Sequence, residues 1–464
     1  MTDDDLRIRK ITVTLADGRE LMYFGAIPQR PADYPDQRQL AAVHVQSHAR
    51  WDRLLGEWVV IAGHRQDRTF QPADDQCPLC PSTPGSRTEI PAPAYEVVVF
   101  ENRYPTLKTA QAAAGEADQP NGAGWDPAAP AAGSTAPGGD RRPDLLVSRP
   151  AGGRCEVVCF SQRHTASFAD LSPGQAATVM AAWADRSAEL ARQPGVEQVY
   201  CFENRGAEIG VTLSHPHGQI YVYPYITPRT DRMLAACASY RRETGGNLFD
   251  DLLAAEEADS SRIVVRGAHW TAFVPFAAHW PYEVHMYPRR RVPGLVALAG
   301  EARAEFCELY LDLLRRFDRL FDRPAPYISA WHQAPVRRGG DDFALHLELF
   351  TVMRAPGKLK YLAGSESGMG AFANDIAPEA AAVTTRDLAV PRLPGPAGRR
   401  RTLPAGSVPR RRARASARWC RPAPPGARRT DHRRCVPAGP RPPRSGRPER
   451  DRPGRPGCPR PRRG

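Results

Sequence analysis

One ten-residue stretch constrains this chain more than any other: residues 214–223, which read SHPHGQIYVY. Side chains alternate between the two faces of a strand, so His215, His217 and Gln219 line one face while the aliphatic residues point the other way. Buried polar side chains without partners cost roughly 1–3 kcal/mol each. The stretch therefore predicts a strand whose polar face binds a metal, a phosphate or both. The alternative is a pair of core or surface histidines with ordinary hydrogen bonds.

A second fixed point is the sequence Cys77-Pro-Leu-Cys80. Two cysteines with this spacing reach one Zn²⁺ at about 2.3 Å, and two further ligands must come from elsewhere. A redox pair is the alternative, but the motif does not open a helix after a strand, as thioredoxin-like motifs do. His164 stands where a loop leaves the strand predicted at 155–160, and it is a candidate ligand.

The order strand, helix, strand, loop, His-rich strand occurs twice, with helices predicted at 173–192 and 300–320. Arg289-Arg290 lies 126 residues after Arg163-His164, and His346-Leu-Glu348 lies 131 residues after His215-Pro-His217. Two offsets that nearly agree indicate an internal duplication. In the second copy a glutamate, Glu348, stands where the first copy has its inner histidine.

The net charge of +13 is distributed unevenly along the chain. Residues 391–464 contain 23 Arg, 17 Pro and only three acidic residues, a net charge of +20, so the first 390 residues carry −7. Such a segment cannot build a core, and we predict a disordered Arg/Pro-rich tail over 383–464. Its residue set resembles GC-rich coding sequence read in another frame, which favours a frameshift or an unrelated extension. The alternative is a tail that binds RNA or membranes.

Other features of the sequence limit where the protein acts. It contains no apolar run of 18 or more residues, and its N-terminus is acidic where a signal peptide would be basic. We therefore predict a soluble cytoplasmic protein without membrane or specific nucleic-acid partners. Ten cysteines in 464 residues do not indicate a disulfide scaffold.

Several separate motifs, in the right order, resemble the galactose-1-phosphate uridylyltransferase family. The resemblance spans roughly residues 47–380. The motifs are Cys77-x-x-Cys80, Ser161-x-x-His164, Phe202-Glu-Asn-Arg-Gly206, His215-Pro-His217-Gly-Gln219, His269-Trp270, Trp280-Pro-Tyr282 and Trp331-His332-x-Ala-Pro335.

The resemblance implies an α+β protein with a duplicated histidine-triad-like fold, antiparallel sheets with flanking helices, and usually a homodimer. It implies a ping-pong reaction, in which UMP passes from UDP-glucose to a histidine and then to galactose-1-phosphate. The predicted divisions are an N-terminal extension (1–46), a catalytic half with a zinc site (47–240) and a second half (241–382). Within the catalytic half, residues 110–143 are rich in Ala, Gly and Pro without apolar periodicity, which predicts a flexible insertion. A related nucleotidyltransferase or phosphorylase acting on another nucleotide, and a non-enzymatic zinc-binding nucleotide sensor, are the alternatives.

By this resemblance His217 is the nucleophile, and a neutral imidazole can attack the α-phosphorus to leave a phosphoramidate. Gln219 can donate an amide hydrogen to the phosphoryl oxygens. Histidine-triad hydrolases have a third histidine at that position. Because glutamine cannot protonate a leaving group, the intermediate should survive until the acceptor arrives.

The remaining site residues also follow from the resemblance. Zinc would be held by a closed Cys₂His₂ set of structural type. A second metal, iron or zinc, would have an incomplete ligand set, with Asp231 as the nearest fourth ligand; a hydrogen-bonded polar cluster is the alternative. The zinc ligands are Cys77, Cys80, His164 and His215; the second set is His332, His346 and Glu348; the substrate-binding residues are Arg65, Arg68, Phe100, Asn102, Asn204, Gly210, Thr212, Gln219, Lys360 and Glu366.

Overall fold

A computed structural model describes residues 8–25, 31–40, 47–67, 71–108, 145–321 and 323–389. The predicted insertion at 110–143, the side chain of Arg68 and the chain beyond 389 lie outside these residues. The described strands are β1 Lys10–Thr14, β2 Glu20–Phe24, β3 His48–Asp52, β4 Glu57–Ile61, β5 Val97–Glu101, β6 Ser148–Pro150, β7 Arg154–Cys159, β8 Gln198–Arg205, β9 His217–Tyr223, β10 Ile263–Arg266, β11 Trp270–Phe273, β12 Tyr282–Pro288, β13 Tyr327–His332, β14 His346–Thr351, β15 Met353–Ala355 and β16 Lys358–Leu359. The helices are α1 Pro173–Ala191, α2 Pro228–Thr244, α3 Leu248–Asp259, α4 Gly300–Phe317, α5 Gly364–Met369 and α6 Pro378–Asp387.

An eleven-stranded sheet organises the described chain, in the order β1-β2-β5-β7-β9-β8-β13-β14-β12-β11-β10. Every neighbouring pair in it is antiparallel. A separate three-stranded sheet has the order β4-β3-β6. Antiparallel sheets with flanking helices confirm the predicted α+β class.

The pairing registers of the strands show the same internal duplication as the sequence. Cys159 pairs with His217 in the first half, and His285 pairs with Glu348 in the second. These two pairs are separated by 126 positions on one strand and 131 on the other, the same two offsets that the sequence motifs show. Glu348 therefore occupies the position in the second half that His217 occupies in the first.

Helices α1 and α4 cover one face of this sheet and pack against each other. Helix α1 begins with a capping box, in which the Ser172 hydroxyl accepts from the Gln175 amide and the Gln175 side chain accepts from the Ser172 amide. Its buried stripe includes Val179 and Trp183, which belong to the main core. Each such apolar side chain contributes about 1.5–3 kcal/mol on burial. The helices leave the opposite face of β5, β7, β9 and β8 for the site.

The element bounds differ from the predicted divisions in three places. Strands β1 and β2 are part of the main sheet, with β2 paired to β5, so most of the described N-terminal segment is not a separate extension. Four residues separate the end of β9 from helix α2, which continues to Thr244 and so crosses the boundary predicted at 240. Helix α6 continues past 382, and Arg316 donates to the carbonyl oxygens of Thr385 and Arg386. The predicted start of the tail at 383 is therefore too early.

Among the described residues, no helix combines the length and the apolar character needed to cross a lipid bilayer.

Candidate active site

Strand β9 forms the middle of a cavity floor. Gln219 is in register with Val157 on β7 and with Phe202 on β8, and Val157 is in register with Phe100 on β5. These four side chains and His217 line a cavity of about 370 Å³. A cavity of this size, with an apolar floor and a few polar groups, is typical of a site for a small molecule.

The polar face predicted for 214–223 is present, although the strand itself begins at His217. His217 and Gln219 are half-buried on the cavity face, whereas Ile220 and Val222 are buried in the core. Gly218 between them is needed for close packing, because a Cβ there would lie 2.7 Å from the Phe160 ring and 2.9 Å from the Phe202 carbonyl oxygen. Any larger residue would push β9 away from β8 and displace the two cavity-facing side chains.

The imidazole of His217 is held in one tautomer by the backbone. Its Nδ1 lies 2.8 Å from the carbonyl oxygen of His215. A carbonyl oxygen can only accept, so Nδ1 carries the hydrogen and Nε2 keeps its lone pair. Burial lowers the pKa of His217, and this outweighs the opposite effect of the His215 carbonyl. The ring is therefore neutral and nucleophilic near pH 7.

Most of the predicted substrate-binding residues meet at this cavity. Arg65 donates from Nη1 to the Tyr104 carbonyl oxygen at 2.7 Å, which directs its guanidinium along the cavity wall. Gly210 has a φ of +80°, a left-handed conformation that favours glycine, and it ends the turn that leads into the His-rich strand. The predicted residues that line the cavity are Arg65, Phe100, Asn102, Asn204, Gly210, Thr212, His217 and Gln219.

Two predicted contacts lie elsewhere. Lys360 and Glu366 bind each other, with 2.9 Å between Nζ and Oε1, and neither lines the cavity of its own chain. Conversely, sequence reasoning missed Val157, Phe202 and Tyr221 in the cavity wall. The alternation along 214–223 places Tyr221 on the His217 face and could have identified it, whereas the other two required the strand registers.

The four predicted zinc ligands converge beside the cavity. The ligand atoms of Cys77, Cys80, His164 and His215 all lie within 4.8 Å of one another. Nδ1 of each histidine is 3.5 Å from the Cys80 sulfur. Two thiolates and two imidazoles in this arrangement match the ligand set of a structural zinc site.

Neighbouring groups orient both histidines toward this centre. Nε2 of His215 lies 2.8 Å from the Ser161 carbonyl oxygen and 2.8 Å from the Tyr95 hydroxyl oxygen, and Nε2 of His164 lies 3.0 Å from Asp74 Oδ1. A hydrogen on each Nε2 leaves each Nδ1 lone pair free for a metal. Burial and the nearby Cys77 raise the pKa of Cys80 to about 12. The Cys80 thiol therefore needs a cation beside it to lose its proton near neutral pH.

The second predicted metal set also converges, but with different neighbours from those expected. Ligand atoms of His332, His346 and Glu348 lie within 4.8 Å of one another. Asp231 does not join them, because its side chain is 65% exposed and lies 4.0 Å from an arginine, Arg338. The position next to Glu348 is taken by Arg229, whose Nη2 lies 2.8 and 2.7 Å from the two carboxylate oxygens. The predicted fourth ligand is therefore wrong.

Glu203, in the Phe-Glu-Asn-Arg-Gly motif, is buried next to the cavity residue Asn204. Its Oε2 has no hydrogen-bond partner in the described part of the chain. Burial raises its pKa from 4.5 to about 8, and Arg205 only partly offsets this. The folded protein therefore keeps this carboxyl protonated at neutral pH.

Replacing Glu203 with glutamine should change how stability depends on pH. Because the folded-state pKa is the higher one, the native protein binds the proton more tightly, and Glu203 lowers the free energy of unfolding as pH rises from about 4.5 to about 8. The full effect is at most about 5 kcal/mol. We expect E203Q to match wild type near pH 4.5 and to be more stable above pH 8 in urea unfolding. The exposed Glu301→Gln is the control, and a constant difference between E203Q and wild type across this range would contradict the assignment.

Comparisons with known proteins, by sequence and by structure, find the same kind of relative. Models of the N-terminal and C-terminal domains of galactose-1-phosphate uridyl transferase match residues 36–227 and 234–390. A galactose-1-phosphate uridylyltransferase of Streptomyces lividans is 49% identical over 350 residues, which cover 73% of this chain and 86% of the relative. One of Thermotoga maritima is 32% identical over 343 residues, 74% of this chain and 98% of the relative. A solved uridylyltransferase structure aligns with a TM-score of 0.60 at 30% identity, over 74% of this chain and 98% of that one.

Proposed function

The chain belongs to the galactose-1-phosphate uridylyltransferase family and is a nucleotidyltransferase, and we propose that it transfers UMP through a covalent intermediate on His217. One observation carries this assignment of the nucleophile. His217 presents a neutral imidazole with its Nδ1 hydrogen fixed on the His215 carbonyl, in the floor of the cavity that the predicted substrate-binding residues line.

The first half-reaction is a displacement at phosphorus. Nε2 of His217 attacks the α-phosphorus of UDP-glucose, the N–P bond forms, and the bond to the bridging oxygen breaks. Its electron pair leaves with glucose-1-phosphate. The imidazole becomes positively charged, and the Nδ1–H bond to the His215 carbonyl stabilises that charge. No proton needs to be moved in this step.

The second half-reaction reverses the first with a new acceptor. A phosphate oxygen of galactose-1-phosphate attacks the uridylyl phosphorus, the N–P bond breaks, and its electron pair returns to Nε2. UDP-galactose leaves and His217 is free again. Gln219, in the next cavity-facing position on β9, donates its amide hydrogens to the phosphoryl oxygens in both steps.

The role of Gln219 can be tested by changing it to histidine. An imidazolium can protonate a leaving group, which a glutamine amide cannot do. We expect Q219H to form the uridylyl intermediate and to lose it faster to water, so that the ratio of UDP-galactose to UMP falls. The control is Q219A, which should slow uridylylation without favouring hydrolysis. An unchanged ratio in Q219H would contradict the proposed role.

We propose that Cys77, Cys80, His164 and His215 hold one Zn²⁺. The donor types and the orientation of both Nδ1 atoms support this. When bound, zinc would cross-link the loop that carries the cysteines to the residue preceding β9. His215 joins the two centres, since its ring is a ligand and its carbonyl oxygen fixes the nucleophile.

A homodimer and a cytoplasmic location are part of the same proposal. Lys360 and Glu366, if they contact the sugar and its phosphate, must reach the cavity of a second copy, because they do not line their own. Exposed apolar side chains beside them, including Tyr361 and Met369, fit such a contact. The described cysteines are all unpaired, as expected in a reducing compartment. Light scattering tests the dimer directly.

The substrate assignment is tested by following UDP-galactose formation from UDP-glucose and galactose-1-phosphate. Parallel reactions with ADP-glucose and GDP-glucose test the alternative, a related enzyme that uses another nucleotide. Of the three nucleotide sugars, we expect only UDP-glucose to give turnover with galactose-1-phosphate. Faster transfer from another nucleotide sugar would keep the nucleophile and change the substrate.

A further inference from the structure

The second histidine cluster already contains a cation that belongs to the protein. Arg229, in the first turn of α2, places Nη2 2.8 and 2.7 Å from the two oxygens of Glu348. The Glu348 side chain is 3% exposed, whereas that of Arg229 is 47% exposed, so the guanidinium closes the cluster from its solvent side. Glu348 is the one anionic ligand among the three residues that could hold a metal here.

The other carboxylate of this region has its own donors. Glu283 accepts hydrogen bonds from the amides of His279 and Trp280 through Oε2, at 2.6 and 3.0 Å, and its Oε1 lies 2.9 Å from Nε2 of His285. Glu348 would therefore be the anionic ligand of a metal bound by His332, His346 and Glu348. The negative charge of Glu348 is already paired with Arg229.

The two histidines are also held in place without a metal. Nδ1 of His346 lies 2.8 Å from the Ala344 carbonyl oxygen. The His346 ring stacks on His332 at 4.9 Å with an interplanar angle of 8°, and on Tyr287 at 4.8 Å and 11°. Nε2 of His332 is 3.3 Å from Glu348 Oε2, and Nε2 of His346 is 3.6 Å from Glu348 Oε1. The cluster has the arrangement of a metal site, with a guanidinium bound to its only anion.

We propose that Arg229 is the resident cation of this cluster and keeps divalent metals out of it, so that removing its charge creates a second metal site at His332, His346 and Glu348. A divalent metal bound to Glu348 would lie next to the Arg229 guanidinium on the same carboxylate, and like charges at such a distance repel each other. In this arrangement the ion pair joins α2, which follows the nucleophile strand, to β14 in the second half. The protein thus makes this link with an arginine instead of a metal.

The proposal is tested by metal content. Wild type, R229Q, R229K and the control R232Q are equilibrated with Zn²⁺, dialysed and measured by inductively coupled plasma mass spectrometry. Arg232 lies on the same helix and, within the described part of the chain, donates only to the Pro228 carbonyl oxygen, at 3.3 Å. We expect R229Q to hold one equivalent of zinc more than wild type, and R229K and R232Q to hold the same as wild type. The double variant R229Q/H332A should lose the added equivalent.

The test compares the zinc content of each variant with that of wild type. The expected value of one zinc in wild type rests on the proposed function. A wild type without zinc would refute the proposed Cys₂His₂ zinc and leave this inference intact if R229Q still gained one equivalent. Folded R229Q with no gain would overturn it. A wild-type protein that loses one equivalent on His332→Ala would also overturn it, and that measurement does not require R229Q to fold.

Discussion

Replacing His217 with glycine is expected to lower the rate of UDP-galactose formation by roughly 10⁴-fold or more, the scale of loss when a covalent nucleophile is removed. The cavity floor should remain, because Val157, Phe202 and Gln219 are held by the sheet registers and not by His217. Wild type incubated with UDP-glucose alone should gain the mass of one uridylyl group, and H217G should not. Intact-protein mass spectrometry measures both.

The control for H217G is His48→Gly, which replaces an exposed histidine on β3. It should keep the adduct and the activity. H217G should also keep its zinc, since His217 is not among the four convergent ligands. A uridylyl adduct that persists in H217G would show that another residue is the nucleophile. Turnover by wild type with no uridylyl adduct on the protein would exclude the covalent route.

Replacing Cys77 with serine should remove zinc and, with it, much of the stability and activity. Structural zinc sites contribute to folding directly, and we expect a loss of at least about 3 kcal/mol in the free energy of unfolding. His215 would lose its anchor, and its carbonyl oxygen positions the His217 ring. A displacement of that ring by about 1 Å is enough for a rate loss of about 10²-fold. Zinc analysis, urea unfolding and turnover measure the three effects.

Cys237→Ser is the matched control for C77S, because Cys237 is also buried but lies in a different core cluster, away from the four ligands. It should lose some stability and keep its zinc. If C77S kept a full equivalent of zinc, the ligand assignment would be wrong. If it lost zinc and retained full activity, the cluster would have no part in holding the nucleophile.

Much of the site could be predicted because it is local in sequence. The alternation in 214–223 placed His217 and Gln219 on one face, and the register offsets of 126 and 131 were already visible in the motifs. The Cys77-x-x-Cys80 spacing likewise gave half of the zinc ligand set. These signals depend on strand periodicity and short-range geometry, which a sequence displays directly.

The rest depends on contacts between distant segments. Nothing near Glu348 in sequence indicates Arg229, which is 119 residues away. The sequence prediction instead names Asp231, two positions further on. On helix α2 those two positions differ by about 200° around the axis, so only one of them can face β14. The predicted tail begins too early, at 383, because the end of helix α6 is held by Arg316, 69 and 70 residues before Thr385 and Arg386.

The seam between β8 and β13 has a consequence for how such a chain can arise. Cys201 pairs with Trp331, and Arg205 pairs with Tyr327. The duplication offset of 126 relates position 201 to 327 and position 205 to 331, so it converts each of these pairs into the other. This is the relation of a two-fold axis. A single half on its own would expose β8 as a bare edge, and two identical halves would cover each other's edges as a symmetric dimer. The present chain has the arrangement of such a dimer within one polypeptide, with the Glu348–Arg229 salt bridge at the position equivalent to His217.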